Sequence, residues 1–157
     1  MTAALRLDAF IPYRLSYTSN LVSDVVARAY DAQFGLRIPE WRMIAVTAEN
    51  DGITQQAISA RTRMDKVTVS RAAIALAERG LLARAPNPAD RRSHLLVLTE
   101  AGQALYAQVA PRALALEREM FAQFDADELA RFVAMLRRID DVAQTLETAL
   151  TPPSDAA

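Results

Sequence analysis

The stretch Thr54-Gln55-Gln56-Ala57-Ile58-Ser59-Ala60-Arg61-Thr62-Arg63-Met64-Asp65-Lys66-Val67-Thr68-Val69-Ser70-Arg71 carries two helix starts separated by a tight turn. Thr54 has the side chain of a helix N-cap, and the spacing predicts a short helix over Gln55–Arg61 with Ala57 and Ile58 inward. Thr62-Arg63-Met64 is the turn. Asp65 is the second N-cap, and a helix over Lys66 to about Arg79 follows, with Val69, Ala72, Ala73 and Leu76 at i, i+3, i+4, i+7 on one inward stripe. Gly80 closes it. Leu81–Arg84 and His94–Leu98 then read as two short strands. Between them, Pro86-Asn87-Pro88-Ala89-Asp90-Arg91-Arg92 is predicted to be a protruding loop outside the ladder, because its two prolines lack the N–H that a ladder needs. Helix, turn, helix, strand, basic loop, strand is the plan of a winged helix-turn-helix.

Outward from this centre, a first helix is expected from Asp8 or Pro12 to Phe34, ended by Gly35. Pro39 suits the first turn of a second helix, with Trp41, Ile44, Ala45 and Ala48 on one face. Asn50-Asp51-Gly52 is a turn. After the wing, Thr99 caps a helix expected to reach Phe124 and to bend at Pro111. Asp125-Ala126-Asp127-Glu128 has the form of a capping box and opens a last helix. That helix keeps Leu129, Phe132, Val133, Leu136, Ile139, Ala143, Leu146 and Leu150 at helical spacing. The expected organisation is a mainly α chain with a small antiparallel β wing. A winged helix-turn-helix domain spans 37–99, a helical dimerisation region is formed by 1–36 and 100–150, and 151–157 is a flexible tail.

Composition narrows the chemistry. The 157 residues include no cysteine and one histidine, His94. Disulfides, thiolate zinc sites and thiol redox sensing are therefore excluded, and neither a catalytic triad nor a histidine metal cage is expected. No catalytic residue, metal site or cofactor is predicted. No segment has the length and apolarity of a membrane span, so no membrane partner and a cytoplasmic location are expected. The net charge is −1, but it is unevenly spread. Met1–Ile53 holds five basic and six acidic residues, Thr54–His94 eight against three, and Leu95–Ala157 five against ten. One basic island in an acidic chain is the footprint of a polyanion-binding surface.

The chain from Ile38 to Gly102 resembles the MarR family of bacterial transcription regulators. The residues that carry the resemblance are Pro39-x-Trp41-Arg42, Ile53–Ser59, Met64–Arg71, Arg79-Gly80-Leu81-Leu82, Pro86–Ser93 and Leu98–Gly102. The resemblance implies a symmetric homodimer, joined through the first and last helices, that presents two winged helices to a pseudo-palindromic operator in double-stranded DNA. It implies that Arg92 is a minor-groove arginine oriented by Asp90. It also implies a response to small aromatic or phenolic anions.

Subtracting the inward stripe from the second helix of the motif leaves Lys66, Val67, Thr68, Ser70, Arg71 and Ile74 outward. Thr68, Ser70 and Arg71 are candidates for base contacts, Arg71 because a guanidinium reads guanine through two bonds, and Val67 for a thymine methyl. Lys66, with Gln55 and Gln56 at the preceding helix start, suits phosphates. Arg91 and Arg92 sit at the wing tip, where a narrow minor groove attracts arginine. The pair Asp90 and Arg92 also fits a simple loop brace. Arg63 and Arg84 fit phosphate contacts or solvated charges equally. Ile74 and Ala75 depart from the resemblance, since relatives often carry charge there, and this leaves the operator sequence open.

For a ligand, Tyr13, Arg14, Tyr17 and Asn20 lie at helical spacing on the first helix, and Trp41, Arg42 and Met43 on the second. An arginine among aromatic rings suits an aromatic carboxylate, and the same residues suit ordinary dimer packing. The expected function is a dimeric, sequence-specific repressor released by such an anion. The alternative is a winged-helix architectural or protein-interaction module with no regulatory ligand.

Overall fold

The computed structural model describes residues 5–150. After a single 3₁₀ turn at Leu7–Ala9, the helices are α1 (Ile11–Phe34), α2 (Ile38–Ala48), α3 (Gln55–Thr62) and α4 (Lys66–Glu78). The strands β1 (Leu82–Pro86) and β2 (His94–Leu98) follow, then α5 (Glu100–Met120) and α6 (Ala126–Leu150). No helix among the described residues is long and apolar enough to cross a membrane. The chain divides into two compact units, Met1–Leu116 and Glu117–Ala157, and the winged segment lies within the first. The tail expected at 151–157 lies outside the described residues.

Local chemistry sets the boundaries. Gly35 ends α1 in the left-handed region at φ 58°, its N–H reaching back to Asp31. Thr54 caps α3, accepting the Ala57 N–H at 3.1 Å. Asp65 caps α4, accepting the Thr68 N–H at 2.8 Å. Thr99 caps α5 through the Gly102 N–H at 3.0 Å, and its hydroxyl donates to the Gly80 carbonyl at 2.6 Å. At the start of α6 the Asp125 and Glu128 side chains each accept the other's backbone N–H, at 2.8 and 2.9 Å.

The core belongs to the first unit. Val69, Ala72, Ala73 and Leu76 are all buried on α4, as their spacing requires, against Ile58 of α3 and Met43 and Ile44 of α2. On α2 the buried line is Glu40, Met43, Ile44 and Thr47, one position round from the expected face. The helix is enclosed on more than one side, so the shift has a physical cause: Trp41 packs instead on Tyr30 (5.4 Å, edge-on) and Tyr106 (6.0 Å, stacked). Burial raises the Tyr30 phenol above its ordinary range.

Two further expectations change, and one bridge is added. β1 begins at Leu82 and runs on to Pro86, which pairs with His94 at the end of the ladder; a terminal proline keeps its carbonyl as an acceptor and its φ suits extended chain. Ile53 adds a third extended segment as an isolated bridge, exchanging bonds with Leu96 at 3.1 and 2.8 Å. The fifth helix stops at Met120. Residues 121–124 form turns instead, because the chain must leave the helix before Asp125 can cap the next one.

Candidate nucleic-acid interface

The interface rests on α4. Its buried stripe fixes the rotation of the helix, and the remainder must face solvent: Lys66, Val67, Arg71 and Ile74 are exposed, while Thr68 and Ser70 are half-buried. Val67 and Ile74 are 58% and 49% exposed on a helix whose other face builds the core. Thr68 is already engaged, donating its hydroxyl to Asp65 Oδ2 at 2.6 Å. These bonds from Thr68, side chain first and backbone second, hold the Asp65 carboxyl below the usual aspartate range.

At the turn between the two helices Arg63 takes the left-handed conformation at φ 56°, which lets the chain reverse into α4 without a glycine. Gln55 is half-buried and Gln56 exposed in the first turn of α3.

The wing folds on its own side chains. Asn87 donates to the Ser93 hydroxyl at 2.8 Å and accepts the Ala89 N–H at 3.0 Å. Asp90 Oδ1 accepts the Arg92 N–H at 3.0 Å and lies 3.6 Å from Arg92 Nε. The Arg92 side chain nevertheless stays 95% exposed, a cation held at its root and open at its tip. Arg84 and Arg91 are also exposed.

Two members of the basic island serve the fold. Arg61 bonds Glu49 at 3.0 Å and Asn50 at 3.1 Å. Arg79 donates to the carbonyls of Gly35 and Phe34 at the end of α1 and lies 3.7 Å from buried Glu40.

The residues singled out for a ligand differ in exposure. Tyr13, Arg14, Tyr17, Arg42 and Asn20 are exposed, Trp41 is half-buried, and Met43 is fully buried in the core. On α1 the Arg14 guanidinium lies 5.2 Å above the Tyr17 ring, which is 6.1 Å from Tyr13. Tyr13, Tyr17, Leu21 and Val25, four residues apart, form an exposed stripe along that helix. A separate hollow of about 370 Å³ opens between α2, β2 and α5, walled by Thr47, Asn50, Asp51, Val97, Gln103 and Tyr106. The Thr47 hydroxyl is buried there without a hydrogen-bond partner. No residue of α1 lines it. Sequence reading missed this hollow, because its walls come from three elements with no shared motif.

Among the described residues no cluster of carboxylates and histidine is placed to hold a metal.

Comparison with known proteins agrees with this geometry. A sequence model described as the MarR family matches residues 34–93. A putative transcriptional regulatory protein for the hcr operon of Thauera aromatica is 25% identical over 113 residues, which is 72% of this chain and 68% of that protein. Among solved structures, a MarR/EmrR family transcriptional regulator from Acinetobacter sp. ADP1 superimposes with a TM-score of 0.84 at 25% identity, covering 90% of this chain and 99% of that one. CouR of Rhodococcus jostii RHA1, solved bound to p-coumaroyl-CoA, superimposes at 0.77 and 26% identity over 87% of this chain and 95% of its own. Six helices and a two-stranded wing among the described residues, matched over most of the length of these regulators, give the chain the winged-helix fold of MarR family regulators, and its segment 34–93 is similar to that family's sequence.

Proposed function

We propose that the protein is a homodimeric repressor that reads a pseudo-palindromic operator and is released by a small aromatic or phenolic ligand. The observation that carries this reading is the outward face of α4, where Lys66, Val67 and Arg71 are exposed on a helix whose other face is locked into the core. In this reading α4 enters the major groove, with Arg71 bonding a guanine edge, Ser70 and Thr68 on neighbouring bases and Val67 against a thymine methyl. Lys66, Gln55, Gln56, Arg63 and Arg84 touch the phosphate backbone. The wing lays Arg91 and Arg92 along the minor groove, with Asp90 bracing the root of Arg92.

A second copy is supported by apolar surface that one chain leaves open. On α6, Met135, Ile139, Val142 and Leu146 are exposed, and with Arg138 and Ala143 they border a hollow of about 520 Å³. On α1 the stripe from Tyr13 to Val25 is open in the same way. Apolar stripes of this length on two helices are what a two-fold partner buries.

Release is read as a population shift. A ligand would favour a separation of the two α4 helices that no longer matches successive major grooves, about 34 Å apart. The Arg14–Tyr17–Tyr13 cluster supplies a cation and rings for an aromatic acid, and the hollow beside Thr47 falls within the usual size range of small-molecule sites. The binding of p-coumaroyl-CoA by CouR supports a ligand of this class.

The deciding experiment selects bound fragments from random duplexes and footprints them, with and without aromatic acids. A compact two-fold protected site lost on adding one acid is expected. Diffuse protection with no preferred sequence would instead favour an architectural role.

A further inference from the structure

Arg37 lies outside the basic island of the sequence, yet the fold carries it to the recognition helix. It is the N-cap residue of α2, and α2 packs against α4. A small hollow of about 130 Å³ at that junction is lined by Arg37, Pro39, Glu40, Thr68, Arg71 and Ala72. Two guanidinium groups from distant parts of the chain thus border one concavity, at the turn of α4 where the base-reading side chains begin.

Beneath them sits Glu40, only 4% exposed. Its Oε2 accepts the Arg37 backbone N–H at 2.9 Å, and its Oε1 accepts from Arg37 Nη2 at 3.3 Å. Its second cation is Arg79, at 3.7 Å. The carboxylate therefore keeps a partner whichever way Arg37 turns, and three arginines outweigh its single charge. The Arg37 side chain remains 77% exposed. A guanidinium offers five N–H donors, and Glu40 engages one of them. The others are available to a further anion.

We propose that Arg37 seats one backbone phosphate of duplex DNA at the junction of α2 and α4, with buried Glu40 holding Arg37 in place and Arg71 bordering the same hollow. This inference rests on the reading of α4 as the helix that enters the groove. It extends the contact surface onto α2, beside Arg71. The chemistry recognised is a phosphodiester oxygen, which a forked guanidinium meets through paired charge-assisted bonds.

The test uses the full chain and a random-sequence duplex about three helical turns long, with affinity measured across a salt series. Arg37→Ala is expected to weaken binding several-fold and to make the slope of log affinity against log salt shallower by about one, as loss of one phosphate contact requires. Arg37→Lys, which keeps the charge, is expected to recover most of both. An unchanged slope and affinity in Arg37→Ala would overturn the proposal. So would an equal loss in Arg37→Ala and Arg37→Lys accompanied by equal drops in melting temperature, which would assign Arg37 to capping α2 alone. Inorganic phosphate is added in a parallel thermal melt. A rise in the unaltered protein that Arg37→Ala abolishes would assign the seat to a soluble anion and overturn the DNA assignment. If the unaltered protein ignored the duplex in dilute buffer, the reading of α4 as a groove-entering helix would fail first and this proposal with it.

Discussion

Thr68 and Asp65 are joined twice at the start of α4: the Thr68 hydroxyl donates to Asp65 Oδ2 at 2.6 Å, and the Thr68 backbone N–H to Oδ1 at 2.8 Å. The first turn of α4 is thereby ordered by the chain itself, and the Thr68 hydroxyl is committed to that cap. A preorganised helix start loses less entropy on docking.

The cap makes the first turn of α4 sensitive to acid. Both bonds favour ionised Asp65, so its folded-state value lies below the ordinary 3.8. Its contribution is complete above that value and disappears as the pH falls from there through the depressed one. Amide exchange of Thr68 and Val69 is expected to accelerate across that acid window. Asp65→Asn should flatten the response, and an unchanged acid profile in that variant would remove Asp65 as its source.

Arg71 and Lys66 are expected to fail differently. Arg71→Ala should weaken operator binding by about 1–3 kcal/mol and relax preference at one base pair, while Lys66→Ala weakens all duplexes alike and flattens the salt dependence by about one. Affinities on an operator and a scrambled duplex separate the two. Equal losses on both duplexes for Arg71→Ala would assign Arg71 to the backbone.

Gly102 is placed where α5 crosses the strand entry. A Cβ there would fall 2.1 Å from the Leu81 carbonyl oxygen, and backbone cannot step aside as a flexible side chain does. Gly102→Ala is therefore expected to destabilise the winged unit by about 1–3 kcal/mol, measurable by denaturant unfolding. A variant as stable as the parent would mean that α5 shifts freely against the wing.

Val142 is 60% exposed in the middle of the open face of α6. Val142→Glu places a charge where a partner would bury a methyl pair, and it should convert a dimer to a monomer in light scattering while the helical signal in circular dichroism persists. Retention of the dimer would move the interface off α6.

Much of this protein is legible in the linear order of its residues wherever an effect is short-ranged. Thr54, Asp65, Thr99 and the Asp125–Glu128 box announce helix starts because a capping side chain bonds backbone two or three residues away. The inward stripe of α4 follows from helical period alone, and its outward face follows by subtraction. The charge island and the wing loop are equally local. Long-range packing decides the rest. Which side of α2 is innermost depends on Tyr30 and Tyr106, rings dozens of residues apart in the chain, and period cannot choose among faces when a helix is enclosed on several. Arg61 and Arg79 look like free cations in sequence, but in the fold they are spent on Glu49, Asn50 and the end of α1. Arg37 looks remote and comes to lie beside Arg71, because a hollow is formed by surfaces that meet only after the helices have packed.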